Sequence, residues 1–172
     1  MIVLRCTSKL LSRLGTKPVE ASHASSNALG DWYATLLHTR RGQFVLAMAR
    51  ETLLPVAVTG RDLRTFPARV ATTLAEVLAS YGVPAEVIER ECAAMSEVQY
   101  ARTDDRSNVG VLTELQRLLH GDLDYFPNAT LTELSLRLAQ TPIVARHVFP
   151  EDATCRLFGV PRPRDRTKET GN

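Results

Sequence analysis

The apolar positions of this chain change their period along its length, and the changes divide it into strands, a long loop and helices. Residues 1–6, Met-Ile-Val-Leu-Arg-Cys, form a short apolar run that predicts a β-strand. Thr7 or Ser8 then caps a short helix whose apolar face is Leu10, Leu11 and Leu14, and Gly15 suits its C-terminal end. Residues 16–30 have no period and many small polar side chains. They read as a loop longer than most, and long loops inside compact domains are often functional or mobile. Residues 31–39 alternate, with Trp32, Ala34 and Leu36 pointing one way and Tyr33, Thr35 and Leu37 the other. After a hairpin turn at Arg40-Arg41-Gly42, residues 43–49 put Phe44, Leu46 and Met48 on one face and Val45, Ala47 and Ala49 on the other. Both faces are largely apolar, which predicts a strand buried on both sides. A third strand follows at Leu53–Val58, and Pro55 places it at a sheet edge or a bulge because proline cannot donate to a ladder. Together these make an antiparallel meander.

The period then becomes helical. Pro67 fits the first turn of a helix carrying Val70, Leu74, Val77, Leu78 and Tyr81, which Gly82 ends. Pro84 opens another, with Val87, Ile88, Cys92 and Met95 on its inner face. Residues 97–103 read as a fourth meander-type strand or an extended link. Ser107 caps a helix to about His120, with Val111, Leu115 and Leu118 inward. Thr130-Leu131-Thr132-Glu133 is a capping box, in which Thr130 and Glu133 each satisfy the other's orphan amide. It starts a helix carrying Leu131, Leu134 and Leu138, and Pro142 follows it. The expected fold is α+β: a small antiparallel sheet packed by four to five helices, forming a single domain over 1–158. Residues 159–172 read as a disordered basic tail.

Composition narrows the class. The chain is 44% hydrophobic and 23% charged, too apolar for a disordered protein. No apolar run reaches the roughly 18–20 residues of a membrane helix, and Ile2–Leu4 stops at Arg5, too early for a signal peptide. Cys6, Cys92 and Cys155 are odd in number and far apart, as in a cytoplasmic protein with reduced thiols. The sequon Asn128-Ala129-Thr130 then carries no meaning. Charge is uneven: residues 1–61 carry +5, residues 62–155 carry −6 and residues 156–172 carry +3. The basic N-terminal region either faces an anion or pairs with the acidic middle, and internal pairing is the favoured reading. The 18 arginines against three lysines are not read as nucleic-acid binding, since base composition alone produces such a bias.

Candidate chemistry is sparse. His23, His38, His120 and His147 have no metal-ligand spacing, and no phosphate-cradling Gly-x-x-x-x-Gly-Lys loop or nucleophile elbow is present. No metal or other cofactor is expected. The most suggestive stretch is Thr103-Asp104-Asp105-Arg106-Ser107-Asn108-Val109-Gly110, at an expected helix start. Free amides there favour an anion, and Arg106 is placed to clamp a phosphate or carboxylate. Gly110 in the first turn costs helix stability, and close backbone approach would explain it. The plainer alternative is a cap at Ser107 and an internal salt bridge at Arg106. Candidate ligand-binding residues are therefore Arg106, Ser107, Asn108 and Gly110, joined by Arg5, Lys9 and Trp32. Core burial is the commoner fate of a strand tryptophan.

Several stretches resemble one family. Arg5-Cys6-Thr7-x-Lys9-Leu10-Leu11, Asp31-Trp32-Tyr33-Ala34-Thr35-Leu36-Leu37, Thr52-Leu53 and Asp105-Arg106-Ser107-x-x-Gly110 are similar to a family of small bacterial proteins known as a domain of unknown function. The likeness spans roughly residues 1–120. Tyr33 departs from it where a histidine is expected, and Thr113-Glu114 where Asn-Asp is expected. The resemblance implies a bacterial or phage-related origin and an α+β fold, and no activity. The leading expectation is a non-enzymatic binding or interaction domain, with an anionic ligand or a protein as partner and no membrane contact. One rival is an enzyme on a phosphorylated or nucleic-acid substrate, using Asp104, Asp105 and Glu114 as acid, base or metal ligands. Another is a nucleic-acid binder using the basic N-terminal region, with Arg40 and Arg41, and the tail.

Overall fold

The computed structural model describes residues 1–20 and 23–163, and in it the chain builds one mixed sheet with helices on both faces. Its strands are β1 (Ile2–Cys6), β2 (Trp32–Thr39), β3 (Gly42–Ala49), β4 (Pro55–Thr59) and β5 (Val98–Arg102), in the order β4-β3-β2-β1-β5. β2, β3 and β4 form the expected meander, with Tyr33 opposite Met48 and Leu46 opposite Ala57. β1, however, pairs in parallel with both β2 and β5. The expectation of a purely antiparallel sheet is corrected to a mixed one, and residues 98–102 belong to the edge opposite β4.

Connection length explains the difference. Antiparallel neighbours can be joined by two residues, as Arg40 and Arg41 join β2 to β3, whereas parallel ones need a crossover of a dozen or more. α1 (Ser8–Leu14) and the long loop after it return the chain from β1 to β2. α2 (Phe66–Ser80) and α3 (Ala85–Ala93) carry it from β4 at one edge to β5 at the other. Strands of five residues carry little record of the direction of their partners.

Alternation along the strands sorts two cores. Ile2, Leu4, Cys6, Trp32, Ala34, Leu36, Val45 and Ala47 pack against α1, α2 and the start of the link to β5. Tyr33, Leu37, Phe44, Leu46 and Met48 pack against α4 (Arg106–Tyr125) and α5 (Leu131–Ala139). Among the described residues there are six α-helices rather than four or five; the unexpected one is α6 (Pro150–Phe158). Its punctuation is visible in the sequence, with Pro150 at the first position and Gly159 closing it at φ 66°. Glu151, Asp152 and Arg156 break up its apolar face. α4 runs past His120 to Tyr125 because Leu119 and Leu123 are buried on either side of Gly121 and outweigh the ~1 kcal/mol that a helical glycine costs.

The β4 edge is protected by α5. Ala57 N–H donates to Ser135 Oγ at 2.9 Å, and the hydroxyl donates in turn to Leu131 O at 2.7 Å. An open edge is a template for unwanted pairing, and this one has a ladder position filled by a side chain. Of the segment 159–172 read as a tail, residues 164–172 lie outside the described residues. Val160 N–H donates to Cys155 O at 2.9 Å, and Arg162 pairs with Asp152 at 3.0 Å. Among the described residues no helix is long and apolar enough to cross a membrane.

Candidate functional site

Register brings the charged residues together. On β1, Arg5 lies between Tyr33 of β2 and Ala101 of β5, and Tyr33 lies opposite Met48 of β3. Arg5 therefore projects from the face that carries Tyr33 and Met48. Asp31 immediately precedes β2, Arg50 immediately follows β3, and Arg50 N–H donates to Asp31 O at 2.8 Å. Asp104 follows β5. Four residues from four distant stretches thus meet around the Arg5 side chain.

They form a continuous charge network. Arg5 Nε donates to Asp31 Oδ2 at 2.8 Å, and Arg5 Nη1 reaches Asp104 Oδ2 at 3.1 Å. Asp31 Oδ1 also accepts from Ser25 Oγ at 2.7 Å, which ties the long loop to the network. That serine is itself pinned to the sheet, because its Oγ accepts from Val3 N–H at 2.9 Å. Tyr33 donates its phenol proton to Asp104 Oδ1 at 2.5 Å. Burial pushes the Tyr33 phenol above its ordinary pKa; the Asn108 side chain opposes the shift and Asp104 adds to it. Arg50 Nη1 stands 3.7 Å from Asp31 and 3.9 Å from Asp104 and makes no side-chain hydrogen bond among the described residues. The two guanidiniums thus differ: Arg5 is held at both ends, and Arg50 still has donors to offer.

Two cavities open on either side of Arg5. The larger, about 630 Å³, is lined by Arg5, Asp31, Arg50, Glu51, Asn27 and His23, among others. The smaller, about 420 Å³, lies between the loop at Pro18–Glu20 and Arg102–Asp104. Gly30 forms part of the larger wall with φ +74°, and a Cβ there would stand 3.0 Å from Glu51 Cγ. A side chain at that position would be strained and would push Glu51 aside. Both amide atoms of Asn27 are buried without a hydrogen-bond partner among the described residues. A buried, unsatisfied amide at a cavity wall is uncommon and calls for a reason.

The helix start that the sequence singled out lies next to this cleft, already occupied by the chain itself. Asp105, rather than Ser107, is the N-cap of α4: its Oδ1 accepts from Ser107 N–H at 2.8 Å and Asn108 N–H at 3.2 Å. These are the amides an external anion would use. Asn108 is buried, donating through Nδ2 to Asp105 Oδ2 and accepting from Arg146 Nη2 at 3.0 Å. Arg106 and Ser107 are exposed. Gly110 is exposed too, and a Cβ added to it would meet nothing within 4 Å, so no close backbone approach accounts for it. Lys9 is exposed on α1 and lines neither cavity. Trp32 is fully buried in the core of the opposite face, so it provides no ligand platform. Of the sequence-based candidates, only Arg5 stands at the centre of the cleft.

The residues proposed for an enzyme do not converge. Asp104 is engaged by Tyr33 and Arg5, Asp105 caps α4, and Glu114 pairs with Arg117 on an exposed face at 2.7 Å. Among the described residues no three His, Cys, Asp or Glu side chains are grouped to hold a metal ion. Arg41 serves the fold, donating to Leu123 O at 2.7 Å and Pro127 O at 2.9 Å at the end of α4. Sequence reasoning missed Asp31, Arg50, Glu51, Ser25 and Asn27 as site residues. The signal available was the unusually long loop, together with a charge at each strand end.

The chain matches, over residues 3–153, the family described as a domain of unknown function, DUF6933, and belongs to it. No curated protein and no solved structure matches it.

Proposed function

We propose that this member of the family is a binding domain whose ligand carries an anionic group, a phosphate or a carboxylate, held in the cleft by Arg50 and Arg5. The carrying observation is Arg50: its guanidinium borders the 630 Å³ cavity with its side-chain hydrogen-bond donors unspent among the described residues. A planar guanidinium suits bidentate recognition of such an anion. Topology marks the other side of Arg5, the smaller cavity beyond the ends of β1 and β5. After β1 the chain enters α1 on one face of the sheet, and after β5 it enters α4 on the other. In open sheets of this kind, ligands bind beyond the carboxyl ends of parallel strands where successive helices go to opposite faces. The reading places the protein in the bacterial cytoplasm, supported by its three free thiols and by its sequence likeness to a bacterial family.

The test is thermal stability of the purified protein against inorganic phosphate, acetate and nucleotides, repeated on Arg50→Ala and Arg106→Ala. A ligand that binds only the folded state raises the melting temperature by mass action, by about 2.7 kcal/mol at a hundredfold excess over Kd. The expected result is a rise that Arg50→Ala loses and Arg106→Ala keeps. The reverse would return the site to the start of α4, and no rise with any anion would refute the reading.

A further inference from the structure

The cleft is not simply cationic. The charged side chains lining its larger cavity are two arginines, Arg5 and Arg50, and two acids, Asp31 and Glu51, and Asp104 joins them from the other side of Arg5 at 3.1 Å. Arg5 and Asp31 satisfy each other at 2.8 Å. What is left over is one group of each sign. Arg50 has only its two contacts beyond hydrogen-bond distance. The Glu51 side chain has no hydrogen bond or ion pair among the described residues, and it lies over Gly30, with a Cβ at that glycine standing 3.2 Å from Oε1. Asn27 adds a buried amide whose donor and acceptor are both unspent.

We propose that the cleft takes a zwitterion: a small molecule whose anionic group pairs with Arg50 and Arg5 and whose ammonium group pairs with Glu51. The inference rests on the anion reading above and adds the second charge. Its physical basis is that the two unspent side chains carry opposite signs. A bare anion would satisfy Arg50 and leave Glu51 beside it unpaired, with added repulsion between carboxylate and ligand. A molecule bearing both signs satisfies both side chains. Glycine at position 30 fits this arrangement, because any side chain there would displace Glu51 from the wall.

Paired ligands that differ only in the ammonium group test this by calorimetric titration: ethyl phosphate against phosphoethanolamine, and propionate against β-alanine. The two pairs also tell a phosphate from a carboxylate as the anionic partner. Within the pair that binds, the aminated member should be tighter by at least about tenfold, about 1.4 kcal/mol by the standard conversion. Glu51→Gln, which keeps the shape and removes the charge, should reduce that preference to within about twofold and leave the non-aminated member's affinity no weaker. Equal affinity within each pair would overturn the zwitterion and leave the anion reading standing, as would a preference that survives Glu51→Gln. Failure of all four compounds to bind would overturn both readings.

Discussion

Asp105→Ala is the sharpest test of how the start of α4 is held. In the wild type, Asp105 Oδ1 accepts from two first-turn amides at 2.8 and 3.2 Å, and Oδ2 accepts from the buried Asn108 side chain at 3.2 Å. Loss of an N-cap side chain costs about 1 kcal/mol. Leaving the Asn108 Nδ2 without its acceptor adds about 1 kcal/mol more. The sum, about 2 kcal/mol, corresponds to a fall in Tm of about 4–8 °C for a chain of this size. Asp105→Asn is the control: asparagine keeps the cap through its single oxygen but its amide nitrogen cannot accept from Asn108, so only about half of the loss should return. Urea unfolding followed by circular dichroism measures both. A loss below about 0.5 kcal/mol for the alanine variant would refute the reasoning, as would equal losses for the two variants. A further consequence bears on binding. In an Arg50→Ala background the vacated helix start should gain a stabilisation by phosphate that the same background with Asp105 intact lacks.

Two further perturbations probe the core. Ser135→Ala should cost about 1–3 kcal/mol in urea unfolding, because Ala57 N–H then loses its acceptor inside the fold; a loss within experimental scatter would show that the edge strand does not depend on the hydroxyl. Burial pushes the Cys6 thiol from 9.0 up to about 12. The unfolded chain therefore releases this proton near pH 9 while the folded chain keeps it. The thiol's contribution is intact below pH 9 and is lost as pH rises towards 12, at about 1.4 kcal/mol per pH unit for a single proton. Cys6→Ala should flatten the alkaline limb of the stability profile by that slope, and an unchanged limb would count against burial as the cause.

The parts of the fold that were legible in the sequence are those dictated by local chemistry. The faces of β2 and β3, the proline starts of α2 and α3, and the Thr130–Glu133 capping box follow from side-chain period and from which groups can satisfy helix-end amides. Pro55 correctly marks an edge strand for the same kind of reason. The direction of β1 and β5 was not legible, since parallel pairing depends on crossovers that bring together residues nearly a hundred positions apart. The site suffers from the same limit. Arg5, Asp31, Arg50 and Asp104 each read as an ordinary charge at the end of a strand, and only the mixed sheet makes them neighbours. The stretch that looked richest in chemistry, residues 103–110, is rich because it satisfies itself: Asp105 caps the helix that Arg106 begins. Of the basic N-terminal region, Arg5 does pair with Asp104 of the acidic middle, at 3.1 Å.

Whether the Arg5 network serves the fold or a ligand can be decided by energetics. Arg5 and Asp31 expose only 14% and 8% of their side chains, so neither is fully solvated. Pairs of this kind regain little more than the cost of leaving water, while removing one partner strands the other. Arg5→Met alone should therefore cost about 2–3 kcal/mol, by leaving Asp31 with Ser25 and the distant Arg50 as partners. Adding Asp31→Asn should recover part of that loss, because the stranded charge is gone and the new amide still accepts from Ser25. A coupling of about 1–2 kcal/mol in this double-mutant cycle is the expected value. The double variant would then be more stable than Arg5→Met alone yet unable to hold an anion between Arg5 and Arg50. That outcome would favour the proposed role of this network in recognition. Independent, additive losses in the cycle would instead make Arg5 a clamp that joins β1 to the long loop, and the cleft beside it a by-product of that clamp.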